Sequence, residues 1–514
     1  MITPNYHPVR LFINGDYKGV YIYLSQVNES LLRQHKVMPG SIYFGDSAAL
    51  NERGVRNLWD KAGFWVKKSS RNAEQKHNRE DINFFIAAQH QQDEKAFYDS
   101  FVNYFDQEKY NTFIAIDRIV GTSHHDYGHN HKVYFDPYKG KFEPIEWDVR
   151  EWTAKKDKDI SANPLLLRLK NNPILDAEID RKAFSILNAY NKDFFSNEMD
   201  RIIKDVWNDL SRDHLKDNAI INHKISSTWV SIPFTMKEYK SWMAIDKLLI
   251  NKRIDILQNL YESTTLSYSR EKISNDKFLI KIKVDGEAPA TLALGDNIEL
   301  VGRLPWNLDS KPTKNIRLYP GRKFIKDGRE RHSELLGRDD VINVPQYYEI
   351  IVKAEDPSSF KSLTATNYIT GKPVTVKMEN VIIEYDDAVI HPKDIINRKK
   401  QSVNFSGTVK ITETLEFDEY TNVSISAGTT FHIDKGKSLF FYGKVVALGT
   451  KEKPIKFMSA DLNKPWGIVA VHGKSTKGSI FNYVEFENGS TDSHRLINYT
   501  APFNIHDTDW FEVT

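Results

Sequence analysis

The chain of 514 residues contains no cysteine. This absence excludes disulfide scaffolds, cysteine-ligated zinc and thiol nucleophiles. No apolar run reaches the roughly 18 residues that indicate a membrane-spanning helix. The formal net charge is only +2, because 71 lysines and arginines nearly balance 69 aspartates and glutamates. Such a balance gives no case for a nucleic-acid partner or for an acidic substrate.

Two common phosphate-binding motifs are also absent. The sequence contains neither GxGxxG, which marks Rossmann dinucleotide sites, nor GxxxxGK[ST], which marks P-loops. Hydrophobic residues make up 40% of the chain and aromatic residues 12%, which is ample for packed cores. At this length we expect about two to four domains.

The first half of the chain mixes strand and helix signals. Two strand-like runs, LFING and GVYIYL, flank a predicted GDYKG turn. A break between helices is expected at Ile232–Pro233. We therefore predict an α+β domain over residues 1–262. Apolar residues at three- and four-residue intervals predict amphipathic helices in segments 79–105, 109–120, 173–210 and 234–262.

From Ser263 onward, period-two alternation replaces helical periodicity. The runs KFLIKIKVDGEAPATLALGDNIELVG and YYEIIVKAEDPSSF alternate, and turn signals separate them. We predict a β-rich connecting domain over residues 263–402, with a β-sandwich as its expected form.

Residues 403–514 change character again, with short strands recurring at intervals of roughly 15–25 residues. Their succession resembles the opening rungs of a right-handed parallel β-helix, in which each rung buries its inward side chains against the next. Gly428, Gly436, Gly443 and Gly449 are expected at tight corners. The side chains predicted to point inward are Val423, Ile425, Phe431, Ile433, Leu439, Phe441, Val445, Ile455 and Phe457.

The segment Ser123–Arg150, SHHDYGHNHKVYFDPYKGKFEPIEWDVR, carries the strongest chemical signal. Asp126 and Asn130 precede the strand-like run HKVYF, and Asp148 ends a second run beyond a DPYKG turn. A hairpin of these runs can bring the three side chains together at one open end of a sheet. Phosphoryl transfer uses such a set: one carboxylate accepts a hydroxyl proton, while an amide oxygen and a second carboxylate hold magnesium.

This segment resembles the spore-coat CotH kinase family, whose members carry a D…HN-Y-x-Y segment followed by a PWDxD segment. NGDYKGVY, FWVKKSS and the helical lead-in KYNTFIAIDRIVGTSHHD also agree in order, so the resemblance covers roughly the first half of the chain. The matching residues are Asp126, His129, Asn130, Val133, Tyr134, Pro144, Trp147 and Asp148.

The resemblance implies an atypical protein-kinase-like fold that transfers phosphate from ATP to Ser or Thr hydroxyls of a protein substrate. It implies Asp126 as the catalytic carboxylate, and Asn130 and Asp148 as ligands of Mg²⁺, with Mn²⁺ as a second candidate ion. Lys67 or Lys68 in FWVKKSS is the lysine expected to contact phosphate.

Three positions depart from the family pattern. Arg150 stands where the family has a second acid, and its guanidinium could instead pair with a phosphate. Ser25 replaces a usual glutamate, unless Glu29 supplies it, and Phe44 stands where a lysine is common. These departures keep open a second reading, in which a catalytically degraded kinase-like scaffold belongs to a surface or adhesion protein.

Other readings of the same residues remain open. His124, His125, His129 and His131 lie within eight residues, and imidazoles with Asp126 would suit zinc, manganese or iron in a metal-dependent hydrolase. Alternatively, His124 or His129 orients the catalytic loop. Asp126 could also be a turn residue that binds nearby backbone amides. The β-helix suggests adhesion to cell-surface carbohydrate, and a polysaccharide-active enzyme is the weaker alternative.

Location follows only from the resemblance, which implies an extracellular, cell-surface or spore-coat protein of a bacterium. The first residues, MITPNYHPVRLFING, show no signal-peptide pattern. Because the family has an earlier segment and the last rungs lack an evident cap, we expect further residues to precede and follow this sequence.

Overall fold

A computed structural model of the chain falls into two compact units. The first spans 1–134, 143–305 and 313–392, and the second includes 135–142 and 393–514. The first unit thus holds both the predicted kinase-like region and most of the predicted connecting domain. The structure describes residues 1–46, 58–69, 77–149, 152–160, 163–218, 220–225, 228–302, 314–325, 340–356, 358, 360, 363–395 and 400–514.

The first unit begins with an antiparallel hairpin of β1 (Tyr6–Ile13) and β2 (Asp16–Leu24). Its turn falls at Asn14 and Gly15, which have φ angles of 52° and 87°. The prediction of a GDYKG turn is therefore wrong, since most of that run lies in β2. Asn-Gly favours the two-residue hairpin turn because both residues tolerate positive φ.

A four-stranded sheet positions the segment that carries the chemical signal. The strand order is β4-β3-β5-β6, so the hairpin of β5 and β6 lies beside β3. The DPYKG turn joins β5 and β6 as predicted. The four strands are β3 (Ser41–Gly45), β4 (Trp65–Ser69), β5 (His131–Asp136) and β6 (Lys141–Ile145).

Helices make up most of the rest of the unit's first part, and all of them except α1 and α5 lie in segments where the sequence predicted them. Capping residues divide the predicted segments 79–105 and 173–210 into two helices each. The side chains of Asp93 and Asn191 accept backbone N–H groups where the second helix of each pair begins. The helices are α1 (Glu29–Gln34), α2 (Glu80–Gln89), α3 (Glu94–Tyr104), α4 (Gln107–Val120), α5 (Pro164–Asn171), α6 (Pro173–Ala189), α7 (Lys192–Arg212) and α8 (Met236–Glu262).

A short hairpin, which the sequence did not predict, separates α7 from α8. It consists of β7 (Ile220–Ile225) and β8 (Thr228–Pro233). The expected break at Ile232–Pro233 thus falls at the end of a strand. Among the described residues, no helix is long and apolar enough to cross a membrane.

The β-rich character predicted after Ser263 is confirmed. One sheet has eight strands in the order β12-β16-β10-β9-β18-β17-β11-β13. The strands β14 and β15 form a separate hairpin. Burial alternates along β10 as its sequence predicts. The strands are β9 (Thr265–Lys272), β10 (Lys277–Asp285), β11 (Ala290–Ala293), β12 (Glu299–Gly302), β13 (Asn315–Leu318), β14 (Gly321–Ile325), β15 (Asp340–Val344), β16 (Gln346–Lys353), β17 (Thr364–Asn367) and β18 (Pro373–Met378).

Buried charges centre on Arg118 of α4. Its guanidinium is fully buried and donates hydrogen bonds of 2.7–2.8 Å to the carboxylates of Asp159, Asp176 and Asp180. Each guanidinium nitrogen therefore has a carboxylate partner, which offsets the large cost of removing these charges from water.

Two further cations extend this network to the β-rich part of the unit. Lys158 donates to Asp176 and Asp180 at 2.8 and 2.9 Å and lies 3.3 Å from Glu287. Arg322 of β14 lies 3.0 Å from the same Asp176 carboxylate. The network thus joins α4 and α6 to β14 within the first unit.

The second unit has a short helix, α9 (Pro392–Ile395), at its boundary, and the rest of its described regular structure is strands apart from one 3-10 turn at Lys474–Thr476. Successive strands visit three parallel sheets in rotation, with orders β19-β22-β25-β28-β33, β20-β23-β26-β29 and β21-β24-β27-β32. Such rotation is expected of a parallel β-helix, and its handedness stays a prediction. The strands begin with β19 (Gln401–Phe405), β20 (Thr408–Ile411), β21 (Leu415–Phe417), β22 (Thr421–Ile425), β23 (Thr430–Ile433), β24 (Leu439–Phe441), β25 (Val445–Leu448) and β26 (Ile455–Ser459). They continue with β27 (Val469–His472), β28 (Ser479–Asn482), β29 (Val484–Glu487), β30 (Asp492–His494), β31 (Ile497–Tyr499), β32 (Phe503–His506) and β33 (Phe511–Val513).

The core of this unit confirms the predicted inward side chains. All nine are buried in one hydrophobic cluster. Phe431 and Phe457 stack in adjacent strands with ring centroids 4.5 Å apart, and Phe486 continues the stack at 5.2 Å. Gly443 is required at its corner, because a Cβ there would lie 2.1 Å from the carbonyl oxygen of Thr421.

We expect Arg118→Met to destabilise the first unit by about 3–5 kcal/mol, because it leaves three buried carboxylates without their shared cation. Urea unfolding followed by circular dichroism measures the change. Arg201→Met is the matched control, since Arg201 is exposed on α7 and pairs with Glu198 and Asp205. An Arg118 variant as stable as this control would contradict the expectation.

Candidate functional site

The ends of the β5–β6 hairpin bring two loops together at one edge of the sheet. The first loop connects α4 to β5, and the second follows β6. Gly121 ends α4 in the left-handed conformation, with φ of 73°, and a Cβ there would lie 2.6 Å from Thr153. The chain can therefore turn sharply from the helix into the first loop.

His124 joins Asn130 to Asp148. The Nδ1 atom of His124 lies 2.8 Å from Oδ2 of Asp148 and 3.3 Å from Nδ2 of Asn130. Asn130 and Asp148 have φ angles of 65° and 55°, in the left-handed region that asparagine and aspartate adopt more readily than most residues other than glycine. The structure thus brings the two sequence-predicted metal ligands to the same imidazole.

Asp126 occupies the same loop, but its hydrogen bonds are local. Oδ1 accepts the backbone N–H groups of Gly128 and His129 at 2.8 and 3.0 Å, and the His129 ring lies 2.9 Å away. Oδ2 lies 3.1 Å from the same ring. The carboxylate therefore shapes its loop, and among the described residues no hydrogen bond connects it to Asn130 or Asp148.

His125 is buried between the two loops. Its Nδ1 lies 2.8 Å from the carboxylate of Asp117 on α4, and its Nε2 lies 2.7 Å from the carbonyl oxygen of Trp147. Asn163, which caps α5, donates to the His125 carbonyl at 2.7 Å. Burial opposes the charged imidazole, but the Asp117 carboxylate outweighs burial and raises the pKa of His125 to about 9.

Glu146 lies next to this pair, and its backbone N–H donates to the carbonyl of Ile2. Both of its carboxylate oxygens are buried and have no partner among the described residues. Burial, reinforced by the Asp117 carboxylate, raises the pKa of Glu146 to about 8. Burial also raises the pKa of Asp117, although His125 opposes that shift. The cluster of Asp117, His125 and Glu146 thus holds protons to unusually high pH.

The two neighbouring lysines of β4 differ in their contacts. Lys67 donates to the carbonyl of Asn78 at 2.8 Å and lies 4.0 Å from Asp81 of α2. Lys68 has its ammonium 5.3 Å from the centre of the Phe44 ring. Because successive side chains of a strand point to opposite faces, only one of these lysines can face the hairpin ends.

Lys132 is a third cation at this edge. Its ammonium lies 4.5 Å from the Phe44 ring centre and 4.1 Å from that of Trp147. Burial lowers the pKa of Lys132 to about 8, although the carboxylates of Asp46 and Asp148 oppose the shift. Phe44, which stands where a lysine is common in the CotH pattern, therefore lies among cations.

Arg150, the remaining predicted phosphate contact, lies outside the described residues. Ser25 is buried, and its hydroxyl has no hydrogen-bond partner among the described residues. The sequence analysis missed Asp117, Lys132 and Glu146 as members of the site. Lys132 lies within the segment Ser123–Arg150. Only the packing of the fold shows that Asp117 on α4 lies close to Glu146, which follows β6.

Residues 1–240 match the family model of the CotH kinase protein. No curated protein matches the chain. The CotH-matching region contains both loops, the sheet and α2 to α7. The three parallel sheets of the second unit, which begin at Gln401, lie outside it.

We expect Glu146→Gln to stabilise the metal-free protein at pH 8 more than at pH 5. An unfolded glutamate releases its proton near pH 4.5, whereas folded Glu146 retains it to about pH 8. The folded state therefore binds the extra proton, and wild-type stability falls as pH rises through this window. The amide removes that penalty.

Urea unfolding in EDTA at pH 5, 6.5 and 8 measures the effect, and the gap between variant and wild type should widen by at least about 1 kcal/mol. Glu108→Gln is the control, because the Glu108 side chain is 80% exposed on α4. A gap that stays constant with pH would show that Glu146 titrates normally.

Proposed function

We propose that the CotH-matching region is an atypical protein kinase. It transfers the terminal phosphoryl group of ATP, with Mg²⁺ or Mn²⁺, to Ser or Thr hydroxyls of a surface or coat protein. The observation that carries this proposal is the convergence of Asn130 and Asp148 on His124, next to the loop of Asp126.

The donor atoms of these side chains fit a divalent ion. The amide oxygen of Asn130 and the carboxylate of Asp148, which is 43% exposed, are ligands suited to Mg²⁺. The Nδ1 atom of His124 is a nitrogen donor in the same place, and nitrogen suits Mn²⁺ better than Mg²⁺. When bound, the ion neutralises the charge of the phosphates and holds them in line with the acceptor hydroxyl.

Lys68 and Lys132 supply positive charge for the phosphates in this proposal. Both ammonium groups lie within about 5 Å of the Phe44 ring, near the edge where Asp148 lies. Lys67 instead anchors β4 to α2 through Asn78 and Asp81. Arg150, outside the described residues, stays a candidate phosphate contact by its position in the sequence.

Asp126 orients the acceptor hydroxyl and takes its proton. Oδ1 is held by the N–H groups of Gly128 and His129, which fixes the carboxylate in its loop. Among the described residues the hydrogen-bonding contact of Oδ2 is the one with the His129 ring at 3.1 Å, so Oδ2 is the oxygen directed to the hydroxyl in this mechanism. Proton acceptance by a positioned carboxylate contributes about 10²–10⁴-fold to rate.

The location and the binding partners belong to the same proposal. A protein that carries kinase and β-helix units suits the cell surface or the spore coat of a bacterium. Cell-surface carbohydrate is the partner proposed for the parallel sheets of the second unit.

We expect Asp126→Asn to lower phosphoryl transfer by about 10²–10⁴-fold while ATP binding is unchanged. The amide keeps an oxygen that accepts the loop N–H groups, so only the proton acceptor is lost. Radiolabelled ATP measures autophosphorylation and transfer to a Ser/Thr-rich peptide library. Asp205→Asn on the exposed face of α7 is the control. Full transfer by the Asp126 amide variant would leave Asp126 with a structural role alone.

We expect Asp148→Asn to abolish metal-dependent ATP binding, because it removes the charged ligand. Thermal shift with ATP and either Mn²⁺ or Mg²⁺ measures binding, and wild type should respond more strongly to Mn²⁺ because of His124. No shift of the wild-type protein at millimolar nucleotide would contradict the kinase proposal. It would support the second candidate, a degraded kinase-like scaffold, for which Phe44 in place of a lysine is the motivating feature.

A further inference from the structure

A second set of potential ligands lies behind the proposed nucleotide site. Asp117 of α4, His125 of the first loop and Glu146 of the second each place one donor atom within 4.8 Å of the others. Asp117 is only 8% exposed and His125 is almost fully buried. None of the three coincides with Asn130, Asp148 or His124.

The hydrogen bonding of this cluster is incomplete. Oδ1 of Asp117 and both carboxylate oxygens of Glu146 are buried without a partner among the described residues. Buried polar atoms in native proteins nearly always have partners, because an unmet carboxylate oxygen costs substantial free energy.

The orientation of His125 fits metal ligation. Its Nε2 is within 2.7 Å of the Trp147 carbonyl, which can only accept, so Nε2 carries a proton. Its Nδ1 faces the carboxylate of Asp117 at 2.8 Å and donates a proton to it, and a bound cation would take the place of that proton. Histidines that bind metals commonly donate the other ring N–H to a backbone carbonyl, which fixes the ring.

We propose that Asp117, His125 and Glu146 bind a divalent first-row transition ion, such as Zn²⁺, through Nδ1 and one oxygen of each carboxylate. Such a ligand set of one imidazole and two carboxylates suits Zn²⁺ or Mn²⁺. The ion ties α4 to both loops and so has a structural role that does not depend on catalysis.

The test compares Asp148→Asn with the double variant Asp148→Asn/Glu146→Gln. Both variants lack Asp148, so the metal site proposed at Asn130 and Asp148 is removed from both. After EDTA treatment and dialysis, isothermal titration with Zn²⁺ and elemental analysis measure binding. We expect one ion per chain in the single variant and binding at least about tenfold weaker in the double variant. Equal binding by the two, or no binding by the single variant, would overturn the proposal.

Thermal unfolding provides a second readout and a check of folding. In EDTA the Glu146→Gln change should raise Tm, because it removes an unmet buried carboxylate. With Zn²⁺ the order should reverse, since only the chain with Glu146 gains stability from the ion. A Zn²⁺-induced rise in Tm that is the same in the single and the double variant would also reject the site. Because neither readout uses ATP, failure of the kinase proposal would leave this result interpretable.

Discussion

The candidate site depends on the buried imidazole of His125. The imidazole connects the carboxylate of Asp117 on α4 to the carbonyl of Trp147, the residue directly before Asp148. The side chain of Asn163 in turn donates to the backbone carbonyl of His125. The left-handed backbone of Asp148 is unfavourable in isolation, so contacts around it must hold it in place. The bond from His125 to the Trp147 carbonyl is one such contact, so His125 has a positioning role for Asp148.

The position of α4 is in turn fixed by the charge network. Asp117 and Arg118 are adjacent in the helix, so they point in different directions. Asp117 faces the site, while Arg118 holds Asp176 and Asp180 of α6. Arg253 of α8 donates to the carbonyl of Arg118 as well, at 2.6 Å. One helical turn therefore links the stability of the first unit to the geometry of its site.

Local patterns predicted much of this structure. Apolar periodicity predicted most of the helices, and period-two alternation predicted β10. The inward side chains of the parallel sheets could be identified residue by residue, because each rung repeats the same packing. The segment Ser123–Arg150 predicted that Asp126, Asn130 and Asp148 meet. In the structure His124 contacts Asn130 and Asp148, whereas the hydrogen bonds of the Asp126 side chain stay within its own loop. Contacts between distant segments were not predictable, because Asp117 meets Glu146 only once α4 and β6 are packed. The turn at Asn14 was misplaced because the sequence analysis put it in GDYKG and overlooked the stronger Asn-Gly signal.

The central claim is that a divalent ion and the phosphates of ATP meet at Asn130 and Asp148. A crystal structure with Mn²⁺ and a non-hydrolysable ATP analogue tests it most directly, because manganese gives an anomalous signal that locates the ion. The account predicts an anomalous peak within coordination distance of the Asn130 and Asp148 oxygens, with phosphates directed to Lys68 and Lys132. A nucleotide bound elsewhere, with no peak at these two residues, would contradict it.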